Sequence, residues 1–505
     1  MQEELRKKLN KQASIQVKTK MECYLEGDDE VVVEPWPASP FSQYMNSSVL
    51  SLAIIAVLEI GVPIEDDDSV ILSEIRDILL PINPRFSSIM VTGKNDVKNW
   101  KPVKVNLADH LKVPIFPVGK PSEFYDDCLS EYLTKIAMDP FPETRPLWEI
   151  HIFRYPTSNA AGNCIFKFHH SLGDGYSLMG ALLSCLQRAD NPALPLTFPR
   201  RERSGKKQGK NAIARAFKAV PRFFTGVVDT VTDFSWSFLK SSLIDDDKTA
   251  IHSQEDGVEF RPISVTTMAF SLSHLKQIKS SLNVTINDVI SGILTYGTRL
   301  YMQESDRETC NAECTALVLF NTRAMGGYKS VSEMIKPNAE MPWGNRFTFL
   351  PFAIPKLRSP AGDGDGDSSN PLRFIYNAHR MVKRQRNSAS VYLTSQLLEF
   401  SRKLRGPEAT AQFVHGTIRN TSFTMTNMIG PVEETTLANH PVKGMYFAVS
   451  GAPLSLLVTM VSYVDKLRLT FVTEKEFIDV KKLKSCVESA FDEIFRLALK
   501  SSPPA

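Results

Sequence analysis

The sequence predicts an α/β protein of two similar halves, and three observations lead to this fold class. Short β-rich runs alternate with helical patterns over residues 37–190, and the alternation resumes at residue 263. Between these regions the composition changes sharply, because residues 200–222 contain nine basic residues against one acidic residue, Glu202. The length of 505 residues exceeds the roughly 100–200 residues of a typical domain. We therefore predict a weakly ordered segment (1–36), a first domain (37–194), a linker (195–258) and a second domain (259–505).

The first half contains three predicted strands and two predicted helices. Continuous apolar residues over 49–58 predict a buried strand. Residues 67–80 form a helical pattern that begins with acidic residues, which suit the positive end of a helix dipole. Two short β-rich runs, 148–154 and 164–169, predict further strands. A helix is then predicted over 175–189, because its leucines recur on or near one face.

The second half shows the same alternation. Apolar and alternating runs predict its strands, and apolar residues at helical spacing predict its helices. The predicted strands are 263–272, 314–320, 347–354 and 467–471, and the predicted helices are 286–302 and 480–499.

The composition is that of an ordinary soluble globular protein, with 43% hydrophobic and 23% charged residues. A net charge of +3 gives no reason to expect a nucleic acid as a partner. Of the seven cysteines only Cys310 and Cys314 are close in sequence, and no second Cys or His pair has matching spacing. We therefore predict no metal site. Scattered, unpaired cysteines are typical of a reducing compartment.

No segment predicts a signal peptide or a membrane-spanning helix. The first twenty residues are charged and polar, without the apolar core of a secretory signal. The longest strongly apolar stretch, 49–58, ends at Glu59 and has about half of the roughly 20 residues that a spanning helix needs. Any membrane contact is therefore expected to be peripheral.

The residues best suited to chemistry form the run His169-His170-Ser171-Leu172-Gly173-Asp174-Gly175. A histidine at the end of a strand is held rigidly at the edge of a sheet. Asp174, four residues after His170, can fold back across the turn to orient the imidazole or its surroundings, and Gly175 lets backbones approach closely. With an ordinary pKa of about 6.5, an imidazole can remove a proton from an alcohol and return it to a leaving thiolate.

A simpler explanation is two core or turn histidines beside a helix-capping aspartate, and a lone HxxxD pattern would favour it. The doubled histidine, the spacing to the aspartate and the glycine after it make this motif more specific. We therefore predict catalysis with His170 as general base. The other seven histidines have no partner at useful spacing and are expected to be structural.

The motif resembles the HHxxxDG motif of chloramphenicol-acetyltransferase-like acyltransferases. These include condensation domains of peptide synthetases, plant HxxxD acyltransferases and wax ester synthase/diacylglycerol acyltransferases. Further segments are similar to the last family and follow its order along the chain: PASP (37–40), NPRF (83–86), RPLWE (145–149), ND (287–288), NTR (321–323), GNR (344–346) and TNMIGP (426–431). The resemblance spans roughly residues 37–500, and its details are similar to the plant branch of the family.

The resemblance implies two chloramphenicol-acetyltransferase-like domains, with mixed sheets flanked by helices and an active-site tunnel between them. Acyl-CoA would enter from one face and a long-chain alcohol or diacylglycerol from the other, all as substrates, with no metal or other cofactor. The family's base is the second histidine, in this chain His170, while Asp174 is mainly architectural, His169 supports the fold and Gly175 shapes the channel. The implied location is the cytosolic face of the endoplasmic reticulum membrane, or the plasma membrane, in the synthesis of plant cuticular wax.

Three asparagines outside the motif are predicted to face His170 across the tunnel and contact substrate: Asn287, Asn345 and Asn427. Simpler roles stay open for two of them, because Asn287 and Asp288 can cap their helix and Asn427 can shape a turn. The Asn427 amide can also contribute to an oxyanion hole. The tryptophan of RPLWE, Trp148, is expected to anchor the core rather than contact a ligand.

Two features separate the chain from other branches of the superfamily. Plant HxxxD acyltransferases carry a DFGWG element near the C-terminus, and the nearest similar segment of this chain, MPWGN (341–345), differs in sequence and position. Condensation domains belong to assembly lines with carrier domains, and this sequence shows none.

The basic linker predicts a membrane contact through residues 200–239. Its Lys and Arg residues precede Phe and Val at helical spacing over 223–238, a combination that an anionic membrane attracts. The same helix can instead pack between the domains while the basic residues stay solvated, and both interpretations are open. We keep the membrane as the prediction, because a lipid-handling enzyme must take its acceptor from a bilayer.

These observations predict an acyl-CoA-dependent O-acyltransferase that makes wax esters and, as a second activity, triacylglycerols. One alternative is a related acyltransferase that acts on a smaller alcohol or amine. Another is a lipid-binding relative without catalysis, against which the intact His170 and Asp174 argue.

Overall fold

The computed structural model describes residues 34–93, 97–198, 245–321, 334, 343–357, 370–387, 406 and 408–500. Within these ranges the chain forms three β-sheets flanked by helices. Most of the segment 1–36 and the helical pattern at 223–238 lie outside the described residues.

The strands are numbered in chain order. They are β1 (Trp36–Pro37), β2 (Ala53–Ile60), β3 (Ser88–Thr92), β4 (Lys98–Pro102), β5 (Leu111–Lys112), β6 (Trp148–Phe153), β7 (Gly162–His169), β8 (Leu186–Arg188), β9 (Ile263–Ser271), β10 (Thr315–Asn321), β11 (Phe347–Ala353), β12 (Phe423–Ile429), β13 (Thr435–Leu437), β14 (His440–Ser450), β15 (Leu456–Tyr463) and β16 (Lys466–Glu474).

Helices and shorter helical turns flank these strands. The α-helices are Pro40–Tyr44, Ser69–Glu74, Leu80–Ile82, Leu107–His110, Ser122–Met138, Gly175–Ser184, Leu272–Leu282, Ile286–Ser305, Leu372–Asn387, residues 408–419 and Val480–Lys500. A π-helical turn covers Ile75–Leu79, and 3-10 turns cover Pro84–Ser87 and Val258–Phe260.

The largest sheet has seven strands in the order β5-β6-β7-β2-β14-β13-β8. All eight residues of β2 are buried, because the strand is central and covered on both faces. This explains why its sequence is a continuous apolar run. β2 pairs antiparallel with β7, and this register places Ala53 opposite His169.

Two strands of this sheet, β13 and β14, come from the C-terminal half of the chain. β14 pairs antiparallel with β2, so the two halves share a sheet in addition to the connection through the linker. The predicted boundary at 195–258 therefore does not divide the sheets. Local patterns could not reveal this crossover, because it depends on pairing between residues far apart in sequence.

The second large sheet has six strands in the order β11-β10-β12-β15-β16-β9 and is mixed, with β12 parallel to both of its neighbours. The helices Ile286–Ser305 and Val480–Lys500 belong to its apolar core. They approach closely at Gly297, where an added Cβ would lie 2.7 Å from Val487 Cγ2. A third sheet, β1-β4-β3, is small and antiparallel.

A core shared by both halves includes Ile55 and Ile165 from the first large sheet and Leu457 from the second. The structure confirms the predicted α/β architecture and most of its elements, with two differences. The helix predicted over 175–189 ends at Ser184, because residues 186–188 form β8 and pair with β13. The helix predicted over 67–80 is interrupted by the π-helical turn.

Candidate active site

The HHxxxDG motif joins the end of β7 to the helix Gly175–Ser184. Asp174 is the N-cap of that helix. Its backbone is extended (φ −78°, ψ 172°), and its Oδ1 accepts a hydrogen bond from the Ser177 N–H at 3.0 Å. The spacing between His170 and Asp174 is thus that of a strand-to-helix turn.

Side chains from other parts of the chain bind the carbonyls of this turn. The Ser42 hydroxyl donates to the Ser171 carbonyl at 2.8 Å. The Leu172 carbonyl accepts two hydrogen bonds, from Arg85 Nη1 at 3.0 Å and from Trp343 Nε1 at 2.9 Å. These bonds fix the backbone on which His170 is carried, and a catalytic side chain needs such support to hold its geometry.

The segment 343–347, from the C-terminal half, lies against the motif. Asn345 Nδ2 donates to the His170 carbonyl at 3.0 Å. The main-chain N–H of Arg346 donates to Asp174 Oδ2 at 2.8 Å. The structure therefore brings Asn345 to the histidine motif, although the two residues are 175 positions apart in the sequence.

His169 has hydrogen bonds at both ring nitrogens. Its Nδ1 accepts the Ser171 N–H at 3.1 Å, so the proton lies on Nε2, which donates to the Ser51 hydroxyl at 3.1 Å. Burial lowers the pKa of His169 to about 3, which keeps the ring neutral. With both nitrogens engaged, this ring fits a supporting role.

The ring of His170 is in a different situation. Its main-chain N–H donates to the Leu52 carbonyl at 2.8 Å, but among the described residues its Nδ1 has no hydrogen-bond partner. The Phe347 ring meets it edge-on at a centroid distance of 5.6 Å. Burial lowers the pKa of His170, and the negative charge of Asp174 opposes this shift. The imidazole is therefore neutral at pH 7 and able to accept a proton.

Arg85 is a functional candidate that the sequence did not single out, because NPRF was noted only as a family segment. Its partly buried guanidinium packs over Trp100, 5.7 Å from the ring centroid. Burial lowers the pKa of Arg85 to about 10, against the charge of Asp174, so the group remains a cation at pH 7. Its contact with the turn joins residues 87 apart, which local sequence patterns do not reveal.

An apolar cavity of about 20 Å³ lies beside the motif. It is lined by Ile54, Ala56, Phe168, Gly175, Leu178, Met179, Leu182, Met428 and Phe447. At Gly175 an added Cβ would lie 3.5 Å from Met428 Sδ. Gly175 therefore leaves room between the helix and β12. A longer apolar group could enter only if the methionines move, which their flexible side chains allow.

Asn287 and Asn427 form a pair of their own. Asn427 Nδ2 donates to Asn287 Oδ1 at 2.7 Å. Asp288, not Asn287, makes the capping box with Thr285, so the capping alternative holds only for the aspartate. The pair is connected to the motif by Met428, the residue after Asn427. A continuous tunnel joining all three asparagines to His170 stays a prediction.

Trp148 is fully buried, and its Nε1 donates to the Phe86 carbonyl at 2.8 Å. It stacks on His110 at a centroid distance of 3.9 Å, as expected for a core anchor. Among the described side chains, no group of three or more His, Cys, Asp or Glu residues could hold a metal ion. Within the described ranges, no helix combines the length and apolarity needed to cross a membrane.

Comparison with known proteins decides the family. The model of the wax ester synthase/diacylglycerol acyltransferase catalytic domain matches residues 77–290, and that of the WS/DGAT C-terminal domain matches residues 343–495. The chain belongs to the wax ester synthase/diacylglycerol acyltransferase family. The resemblance read from its motifs is thereby confirmed.

This member of the wax ester synthase/diacylglycerol acyltransferase family aligns with its relatives over nearly its whole length. Wax ester synthase/diacylglycerol acyltransferase 4 of Arabidopsis thaliana is 28% identical over 481 residues, which is 90% of this chain and 88% of the relative. Wax ester synthase/diacylglycerol acyltransferase 11 of the same plant is 27% identical over 461 residues, which is 88% of this chain and 91% of the relative.

Solved structures confirm the fold. A wax ester synthase/diacylglycerol acyltransferase from Marinobacter aquaeolei VT8 superposes with a TM-score of 0.55 at 13% identity, over 92% of this chain and 99% of that one. The first condensation domain of the CDA synthetase superposes with a TM-score of 0.53 at 12% identity, over 94% of this chain and 98% of that one. The predicted two-domain, chloramphenicol-acetyltransferase-like architecture is therefore confirmed.

Proposed function

We propose that this protein transfers a long-chain acyl group from acyl-CoA to a fatty alcohol, and also to diacylglycerol, with His170 as general base. Family membership supports the acyltransferase activity. The observation that carries the choice of base is the contrast between the two histidines. Both nitrogens of His169 are bonded, whereas the buried Nδ1 of His170 has no partner within the described part of the chain.

The reaction needs one group that takes a proton and later returns it. The alcohol oxygen attacks the thioester carbonyl while the neutral His170 accepts its proton, which gives a tetrahedral oxyanion. The carbon–sulfur bond then breaks, the carbonyl re-forms and the CoA thiolate takes the proton from the His170 imidazolium. The products are an ester and free CoA, and His170 is neutral again.

Asp174 contributes through position and charge. Its carboxylate accepts hydrogen bonds from the helix that it caps and from the Arg346 N–H. Its negative charge raises the pKa of His170 against the effect of burial and so stabilises the imidazolium that forms during the reaction. We assign it an architectural and orienting role.

We assign substrate contacts to Asn345 and Asn427, with Asn287 as the hydrogen-bond partner of Asn427. In the described part of the structure, Oδ1 of Asn345 and Oδ1 of Asn427 are buried without a hydrogen-bond donor. Buried polar atoms are almost always paired in proteins, and a bound substrate with O–H or N–H groups would supply the missing donors.

The proposal is tested by giving the purified protein labelled palmitoyl-CoA and a panel of acceptors, then separating the lipid products. Wax ester from hexadecanol and triacylglycerol from diacylglycerol are the expected products. Product only from a short alcohol or an amine would support a related acyltransferase of different specificity. The absence of CoA release with every acceptor would support a lipid-binding protein without catalysis.

We further propose peripheral association with the cytosolic face of the endoplasmic reticulum membrane or with the plasma membrane, through residues 200–239. These residues lie outside those that the structure describes, so the proposal rests on their basic and amphipathic sequence. Replacing Lys206, Lys207 and Lys210 with Glu should weaken binding to anionic vesicles. The binding that remains should be less sensitive to salt. Unchanged binding would favour interdomain packing of this segment.

A further inference from the structure

The loop between β5 and the helix Ser122–Met138 displays two aliphatic side chains to solvent. Ile115 is 90% exposed and Val118 is 83% exposed, the highest values among the large hydrophobic residues described. Phe124, at the start of the following helix, is also exposed. Ile115 and Val118 lie three residues apart in one loop, and neighbouring exposed aliphatic side chains are suited to contact an apolar partner.

The loop is held in place by two tyrosine hydroxyls. The Tyr155 hydroxyl accepts the Phe116 N–H at 2.7 Å and donates to the Phe116 carbonyl at 3.0 Å. The Tyr125 hydroxyl accepts the Lys120 N–H at 3.2 Å and donates to the Pro117 carbonyl at 2.7 Å. The outward direction of Ile115 and Val118 is therefore built into the fold.

The same bonds lower the cost of taking the backbone of Phe116 and Pro117 out of water. The prolines at 114 and 117 have no N–H group, and the backbone groups of Phe116 and the Pro117 carbonyl are already paired. An apolar phase offers no hydrogen bonds to the backbone, so segments that enter it must satisfy their own polar groups. Phe116 and Pro117, which lie between the two exposed side chains, do so.

We propose that residues 113–119 form a membrane-docking loop whose Ile115 and Val118 insert into the apolar layer of a lipid bilayer. From the usual relation between buried area and transfer free energy, two aliphatic side chains correspond to roughly 250 Å² of apolar surface at most. A stable protein interface buries roughly 1,200–2,000 Å² in total. The loop is thus too small to bind a second copy by itself, whereas a bilayer accepts it without a shaped partner surface.

The charges around the loop nearly cancel. Lys112 and Lys120 bracket it, and their stems can lie along the bilayer while their ammonium groups stay at the headgroups. Glu123 and Asp127 on the following helix oppose them. Insertion therefore depends on apolar burial, which salt does not weaken. High salt therefore removes the attraction of the basic residues of 200–239 to anionic lipid. The Phe and Val residues at 223–238 would also bind an apolar phase, so a probe placed in the loop itself is needed to report its insertion.

The proposal goes beyond the proposed reaction and does not depend on it, because vesicle binding is measured without substrate. The full-length protein is titrated with neutral phosphatidylcholine vesicles at high salt. The double variant Ile115→Asp/Val118→Asp should bind at least roughly ten-fold more weakly, since each aliphatic side chain loses its burial and gains a charge. The matched control is Val70→Asp, at another exposed aliphatic residue beside acidic neighbours, and it should bind like the unmodified protein.

A second variant reports insertion directly. Ile115→Trp, compared with the unmodified protein, should gain fluorescence that lipids brominated on their acyl chains quench. Equal vesicle binding by the double variant and the unmodified protein, or the absence of such quenching, would overturn the proposal. It would also be overturned if the double variant changed the oligomeric state of the protein in solution but not its vesicle binding, since the loop would then contact a second copy. Turnover of a short, soluble alcohol should stay unchanged, which separates this result from any failure of the proposed reaction.

Discussion

Asn345 donates a hydrogen bond of 3.0 Å to the main-chain carbonyl of His170 and so joins the C-terminal half of the chain to the proposed base. The next two residues contribute as well, because the Arg346 N–H binds Asp174 and the Phe347 ring meets the imidazole. The environment of His170 is therefore assembled from both halves of the chain.

Asn345→Ala should lower kcat by roughly 3- to 10-fold, because the net contribution of one such hydrogen bond, about 0.5–1.5 kcal/mol, then no longer positions His170. Asn377→Ala is the matched control, since Asn377 also donates to a main-chain carbonyl, that of Ala353, away from the motif. Steady-state kinetics of both variants check this. Equal kcat values for the two would show that Asn345 does not position the base.

Arg85 and Trp343 donate to the same carbonyl, that of Leu172, and their effects should therefore be coupled. Trp343→Phe keeps an aromatic ring but removes one donor, and Arg85→Met removes the other. Each single variant should lose activity only moderately, because one donor to the Leu172 carbonyl remains. In the double variant the loss of transition-state stabilisation, calculated from kcat/KM, should exceed the sum of the two single losses. A double-mutant cycle on kcat/KM measures this coupling. Strict additivity would mean that the turn is held by other contacts.

The fold class, most elements and the motif itself could be predicted from the sequence, because they depend on local periodicity and spacing. The helix that Asp174 caps is an example, since the capping side chain and the apolar face are both local features. The entry of β14 into the first sheet and the contact of Arg85 with the turn could not be predicted, because they arise only when distant segments pack together. His169 and His170 are adjacent in the sequence, and only the structure shows that their nitrogens are bonded so differently.

The pH dependence should follow the ionisation of His170. Because burial lowers the pKa of His170 below its ordinary value near 6.5, the neutral base persists into mildly acidic solution, and kcat/KM should fall only below that range. Asp174→Asn removes the charge that raises this pKa, so the acid limb should move to still lower pH while the maximal rate falls. Profiles of kcat/KM against pH for both proteins test this. A limb that moves to higher pH in the variant would contradict the assigned electrostatics.

Gly175 should control the acyl chain length that the site accepts. Gly175→Val adds methyl groups beside Met428 and fills the apolar cavity, and overpacking of this kind costs about 1–3 kcal/mol. We expect roughly a ten-fold loss of kcat/KM for palmitoyl-CoA relative to octanoyl-CoA. Gly175→Ala is the control, because its Cβ would only reach ordinary contact at 3.5 Å from Met428 Sδ. If the ratio of kcat/KM for palmitoyl-CoA to kcat/KM for octanoyl-CoA were the same in both variants, Gly175 would not line the path of the acyl chain.

The most direct test of the central claim is the release of CoA from palmitoyl-CoA and hexadecanol by His170→Ala, measured beside His169→Ala. Loss of the general base should lower kcat by about 10²-fold or more while the thermal unfolding temperature stays near that of the unmodified protein. His169→Ala should instead lower the unfolding temperature, because it breaks the bonds to Ser51 and Ser171, and should keep much of the activity of its folded fraction. Near-normal turnover by folded His170→Ala would show that His170 is not the base.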